Sequence, residues 1–224
     1  MTRIGIDING VLRDIVGKFE QLYEKHLIEK DKDDFLGQTY ELDMSGNTKI
    51  IESNDESFEY RKLSDVSSLD LTKHFLFKNS EELFSFMYEE YAMELFGHAS
   101  STEMTTFNIL NELYFELREE YELIIVSNEI GKSKPSSLFF LSKFGCLLEK
   151  VIFFNEVTKN NMWNQIDILL TANPDLLLEK PTNKLVVKYN TNYNKQVESD
   201  YEINSLSELN EIIKKIKNVI QHFR

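Results

Sequence analysis

The chain has 224 residues, 42% of them hydrophobic and 12% aromatic, which is enough apolar material for a compact core and too much for a disordered chain. Its 38 acidic and 25 basic side chains leave a net charge of −13, which disfavours nucleic acid and anionic membranes as partners. The single cysteine, Cys146, excludes an intramolecular disulfide and any zinc site built on several cysteines.

The opening MTRIGIDING lacks the charged-then-apolar pattern of a signal peptide, and no apolar run approaches membrane-spanning length. A soluble, cytoplasmic protein is the expectation. Arg3–Ile8 predicts a short apolar strand, turned by Gly10. Ile15, Phe19, Leu22, Tyr23 and His26 recur at helical spacing. Residues 29–71 mix a charge run (EKDKDD), a turn signal at Ser45-Gly46-Asn47 and weak strand pieces at Lys49–Glu52 and Phe58–Arg61. They read as an insert on the core.

Ser80 is a good N-cap with Glu81 and Glu82 behind it, predicting a helix to about Phe96 that Gly97 closes. A second helix is expected over Thr102–Glu120, with Phe107, Leu110, Leu113 and Leu117 on one face. Glu122–Val126 (ELIIV) predicts a second strand ending at Ser127-Asn128. Lys134-Pro135-Ser136 opens a helix that Gly145 ends. Strands follow at Val151–Phe154, Asp167–Leu170 and Leu185–Lys188, and a last helix over Ser207–His222.

Apolar strands alternating with helices imply an α/β fold, a Rossmann-like parallel sheet covered on both faces. The core is expected to hold residues 1–28 and 100–224, and a cap insert of mixed helix and short strands to hold residues 29–99. Ligands of such sheets bind at the C-terminal strand ends. Three ends carry polar clusters, Asp7-Ile8-Asn9-Gly10, Ser127-Asn128 and Thr171-Ala172-Asn173, and these should converge on one crevice. An aspartate there can attack phosphorus or bind a metal. In a phosphatase the residue two positions on is usefully a second carboxylic acid, which protonates the leaving oxygen. Here that residue is Asn9, which cannot exchange a proton at neutral pH.

The stretch Ile4–Asp14, IGIDINGVLRD, resembles the first motif, D-x-D-G-x-L-x-D, of the haloacid dehalogenase-like (HAD) phosphohydrolases. Ser127 after ELIIV resembles the phosphate-binding Ser or Thr of their second motif, with Asn128 beside it. Lys159 resembles their third-motif lysine, and Asp167–Pro174, DILLTANP, the fourth motif, a strand ending in two Mg²⁺-holding acids. The flanks, with Lys184–Asn190 and Tyr193-Asn194 after the fourth motif, are similar to the 5′(3′)-deoxyribonucleotidase branch. The resemblance implies Asp7 as nucleophile and metal ligand, and Ser127, Asn128 and Lys159 as phosphate-binding residues.

The departures point the other way. The acidic pair aligns with Thr171 and Ala172, neither of which replaces a carboxylate at a hard cation. Loss of the acid at position 9 alone removes about 10²–10⁴ in rate. The expectation is a catalytically impaired HAD-like protein that needs no cofactor. It would serve as a binding or structural module, docked in a larger protein assembly or holding a nucleotide or phosphate weakly. A viral assembly, and hence a virion-associated location, is one such setting. The alternative is a Mg²⁺-dependent phosphomonoesterase acting on deoxynucleoside monophosphates, with Asp175 or water completing the metal shell. Otherwise Asp175 would cap the helix that follows, and Asp167 lies too far from the strand end to help.

The remaining candidates read as structural. His26, His74, His98 and His222 do not pair at metal-ligand spacing. Trp163 is expected to pack a loop, Lys132 and Lys134 to be solvated, and Lys214, Lys215 and Lys217 to suit a helix C-terminus.

Overall fold

The computed structural model describes residues 1–34, 40–42, 48–50, 66–75, 77 and 79–222, with side chains for 1–27, 66–75, 77 and 79–218. Its centre is a six-stranded sheet built from β1 (Thr2–Asp7), β4 (Tyr121–Asn128), β5 (Val151–Phe154), β6 (Ile168–Thr171), β7 (Leu185–Tyr189) and β8 (Tyr201–Ile203). The strands lie in the order β5-β4-β1-β6-β7-β8, and every pairing is parallel. β1, β4 and β6 are therefore neighbours, so the three polar strand ends expected to converge lie side by side.

Strand alternation divides the core in two. Ile4, Ile6, Leu123, Ile125, Ile168, Leu170 and Val187 face one layer, made by α3 (Thr106–Leu117), α4 (Ser133–Lys143) and α7 (Leu209–His222). Ile124, Val126, Leu169 and Val186 face the other, made by α5 (Lys159–Gln165) and α6 (Pro174–Leu178). Gly5 lies on this second face, where a Cβ would meet the Ile166 side chain at 3.0 Å. Helices on both faces explain why these strands read as unbroken apolar runs.

The chain leaves the sheet after β1 into α1 (Ile15–Asp34) and returns at residues 100–102. The two crossings are stitched together. Asp14 donates its amide to the Ser100 carbonyl (2.9 Å), Thr102 N–H bonds the Leu12 carbonyl (3.1 Å), and the Thr102 hydroxyl bonds that of Val11 (2.6 Å). Between them, α1 and residues 66–97 share an aromatic cluster, with Phe19 packed on Phe75 and Phe86 at ring-centroid separations of 4.5 and 5.2 Å. β2 (Tyr40–Leu42) pairs antiparallel with β3 (Thr48–Ile50), which sits slightly ahead of the strand expected at Lys49–Glu52. The expected turn at Ser45-Gly46-Asn47 and strand piece at Phe58–Arg61 lie outside the described residues.

Several boundaries differ from the sequence expectation. Asn79, not Ser80, caps α2 (Ser80–Ser85), its side chain accepting from the Glu82 amide at 2.9 Å. The predicted continuous helix to Phe96 gives way to two π-type turns, Phe86–Glu90 and Met93–Gly97. There the amides of Tyr91 and His98 bond carbonyls five residues back. α3 begins at Thr106 because Thr102 and Glu103 are engaged in loop bonds, Glu103 N–H to the Thr106 hydroxyl at 2.9 Å among them. Trp163, expected to pack a loop, lies in α5 with Lys159 and is buried. The sixth strand, β8, was unannounced: it has three residues and only Ile203 is buried, so no apolar run marks it. Among the described residues, no helix is long and apolar enough to cross a membrane.

Candidate functional site

Asp7 ends β1 and points to the same face as Thr171, which ends β6 one step beyond the Ile6–Leu170 register pair. The Thr171 hydroxyl donates to Asp7 Oδ2 at 2.7 Å and accepts the Asn173 amide at 3.0 Å. Both side chains are buried. Burial pushes the Asp7 carboxyl up to about 7, against the lowering effect of hydrogen bonds from Thr171 and the Asn9 amide. Glu129 raises it further, and Arg13 lowers it.

After Asp7 the chain makes a tight loop rather than continuing as a strand. The amides of Leu12 and Arg13 both bond the Ile8 carbonyl, at 3.0 and 2.9 Å, and Gly10 N–H bonds the Arg13 carbonyl at 2.9 Å. Gly10 sits at φ 78°, a left-handed conformation that glycine tolerates. This loop also needs a residue without a side chain: a Cβ on Gly10 would fall 2.1 Å from the Tyr193 hydroxyl and 2.7 Å from Ala172 Cβ. Tyr193 thus lies directly over the loop that follows Asp7. Its phenol is shifted up, first by burial and also by Asp7. Asn194 braces this side, donating to the carbonyls of Ala172 (2.9 Å) and Tyr189 (2.8 Å).

The loop folds Arg13 back onto Asn9. Arg13 Nη2 and Nε reach Asn9 Oδ1 at 2.6 and 3.0 Å, and Nη1 donates to the Phe96 carbonyl (2.6 Å) and the Ser137 hydroxyl (2.8 Å). Its charge is met by Glu129, with Nη2 to Oε1 at 2.5 Å and both side chains fully buried. The guanidinium also lies over the rings of Phe96 and Phe140, 5.0 and 5.3 Å from their centroids. Tyr88 stacks on Phe96, and burial beside Glu129 pushes its phenol up to about 12.

Strand alternation explains the position of Ser127. It extends the series Leu123, Ile125, Ser127 and so leaves β4 on the α4 side, away from the face carrying Asp7. Its hydroxyl donates to Glu129 Oε1 at 3.0 Å and is fully buried. Asn128 is the last residue of β4, paired with Phe154. Lys159 begins α5, and its ammonium is held by Glu156 (2.9 Å) and Glu179. The structure therefore brings Asp7, Asn9, Thr171 and Ala172 together, and Ser127 joins Asn9 directly, accepting from its Nδ2 at 3.4 Å, and through Glu129. Lys159 is engaged elsewhere.

The carboxylates weighed as substitutes do not reach Asp7. Asp167 immediately precedes β6, bonded to Arg3 Nε and Nη2 at 3.2 Å each. Asp175 is exposed in the first turn of α6, and the cap there is Asn173, which accepts the Asp175 amide at 2.9 Å. Among the described residues, no group of three or more His, Cys, Asp or Glu side chains is placed to hold a metal ion. The fold family implies Mg²⁺, but this donor set does not fit it. A buried Asp7 bonded to a threonine, with alanine next along, leaves the ion a single, already hydrogen-bonded carboxylate at this strand end, where the resemblance implies a further acidic pair.

Arg13, Glu129, Ser137 and Tyr88 were missed in the sequence reading. Arg13 lies within the first motif, at a position its pattern leaves open, and Glu129 adjoins the second, but nothing local distinguishes a buried charge from a solvated one.

No protein-family model matches the sequence, and no curated protein matches it. Solved structures do. A haloacid dehalogenase-like family hydrolase from Streptococcus pneumoniae superposes with a TM-score of 0.57 at 14% identity, over 95% of this chain and 98% of that one. The HAD-hydrolase YfnB from Bacillus subtilis, whose structure contains magnesium, gives 0.55 at 14%, over 95% and 98%. A haloacid dehalogenase-like hydrolase from Burkholderia xenovorans gives 0.54 at 10%, over 96% and 97%. With these superpositions each running over at least 95% of the chain, the chain has the fold of the haloacid dehalogenase-like hydrolases.

Proposed function

We propose that this protein is a HAD-like fold whose phosphohydrolase site is disabled and which serves as a binding or structural module. The observation that carries this reading is the Thr171–Asp7 hydrogen bond, with Ala172 beside it. The position where a Mg²⁺ site would need carboxylates is occupied by a hydroxyl already committed to the would-be nucleophile. Asn9 supports the same reading, since its amide is bonded to Arg13 and cannot trade a proton with a leaving group. Kinship with the deoxyribonucleotidases belongs to this proposal, and it names the substrates for the test.

The wild-type chain is assayed for phosphate release from deoxynucleoside monophosphates with millimolar Mg²⁺. The expected result is no release above the uncatalysed background. Turnover that disappears in Asp7→Asn would establish a working phosphomonoesterase and overturn the proposal. Two uses of the module, a weakly held nucleotide and a place in a protein assembly such as a viral one, separate in calorimetry with monophosphates and in size-exclusion chromatography of host extract.

A further inference from the structure

The disabled-site reading leaves one cluster unexplained, and the inference below rests on that reading. Glu129 Oε1 is the meeting point of four donors from three separate elements. Arg13 Nη2 (2.5 Å) and Asn9 Nδ2 (3.4 Å) come from the loop after β1. The Ser127 hydroxyl (3.0 Å) comes from β4, and the Ser137 hydroxyl (2.9 Å) from α4. Arg13, Ser127, Ser137 and Glu129 are all fully buried.

A salt bridge by itself does not call for this arrangement. One carboxylate oxygen has two lone pairs, and a guanidinium with one hydroxyl would saturate it. A guanidinium, two hydroxyls and an amide are donors that also bind the oxygens of phosphate-like anions. The carboxylate matches them poorly: all four converge on Oε1, more than its two lone pairs accept, while Oε2 is buried with no hydrogen-bond partner. A buried acceptor left unpaired costs stability, so the side chain is an imperfect fit to the donors around it.

We propose that Arg13, Asn9, Ser127 and Ser137 form an oxyanion receptor and that Glu129 is its built-in occupant, closing the site to inorganic phosphate in the intact chain. Removing the carboxylate opens a site for phosphate; leaving it in place keeps phosphate out.

The test uses the full chain, with inorganic phosphate as the probe and chloride at matched ionic strength as the control. Wild type should show no saturable calorimetric signal and no phosphate-dependent change in melting temperature. Glu129→Ala leaves Arg13 buried and unpaired. Its melting temperature should fall, then rise saturably by roughly 5–10 °C when phosphate is about 100-fold above its dissociation constant. The double variant Arg13→Met/Glu129→Ala lacks both charges and should show no such rescue.

If Glu129→Ala does not fold unaided, its refolding yield with and without phosphate reads the same property. Recovery in phosphate alone supports the receptor, and no recovery overturns it. Saturable phosphate binding by wild type, a Glu129→Ala variant indifferent to phosphate, or equal rescue of the double variant would each overturn it too. Loss of the receptor in this way would leave the disabled-site proposal standing, because that proposal is read from substrate turnover by the wild type.

Discussion

Thr171 and Asp7, 164 residues apart in the chain, share a buried hydrogen bond of 2.7 Å across the ends of two adjacent parallel strands. The carboxyl is raised to about 7 in the folded protein, chiefly by burial, whereas in the unfolded chain it titrates near 3.8. A folded pKa above the unfolded one contributes stability that is fully present below about pH 4 and lost as pH rises through 7. The upper limit of that loss is about 4 kcal/mol. Asp7→Asn removes this titration and leaves an acceptor for Thr171. Melting temperatures of the two proteins between pH 4 and 8.5 should therefore diverge, wild type declining more steeply with rising pH. Parallel curves would mean that Asp7 is ionised without cost.

The Arg13–Glu129 pair is fully buried, so removing one partner is costlier than removing both. Arg13→Met or Glu129→Leu alone should lower unfolding free energy by about 3–5 kcal/mol. The double variant should lose markedly less than the sum, because no uncompensated charge remains. Urea denaturation of the four proteins of the cycle measures this. Additive losses would show that the pair acts as two independent groups.

Gly10 is enclosed by Tyr193 and Ala172 as well as held at positive φ. Gly10→Ala should cost about 1–2 kcal/mol from the left-handed backbone, plus the displacement of Tyr193. Tyr193→Phe removes the hydroxyl that the new methyl would strike, so in that background the same substitution should cost less. The remainder is the backbone contribution and the contact with Ala172. Equal costs in both backgrounds would show that Tyr193 moves aside freely.

Thr171→Asp places a second carboxylate against Asp7. Two like charges in a buried site cannot both ionise cheaply, so without metal the variant should be less stable than wild type. Millimolar Mg²⁺ should restore its melting temperature by several degrees and leave that of wild type unchanged. A Mg²⁺ response in wild type would contradict the conclusion that its donor set does not fit the ion.

Much of this architecture was legible because its signals are local. Apolar runs such as ELIIV mark doubly covered strands by composition alone, and the Asp7-Ile8-Asn9-Gly10 segment announces a strand end and turn by residue chemistry. Thr171 and Ala172 were legible for the same reason, as the polar-then-small end of a short apolar run. β8 was invisible because three half-exposed residues carry no periodicity, and they become a strand only when β7 offers an open edge. The π-type turns within residues 86–97 likewise lie where Phe86, Leu95 and Phe96 pack against α1, a tertiary contact that no helical count reveals.

Within the motif region the division is sharper. The apolar runs told that Asp7, Ser127 and Thr171 would stand at strand ends, since the residues that follow each run are polar or turn-forming. Which groups those side chains would hold was another matter. Arg13 and Glu129 meet across 116 residues, and Ser127 turns toward them because strand alternation and the placement of α4 leave it on that side. Charge pairing in a dry interior depends on distances and on the exclusion of water. Neither exists until the chain has folded.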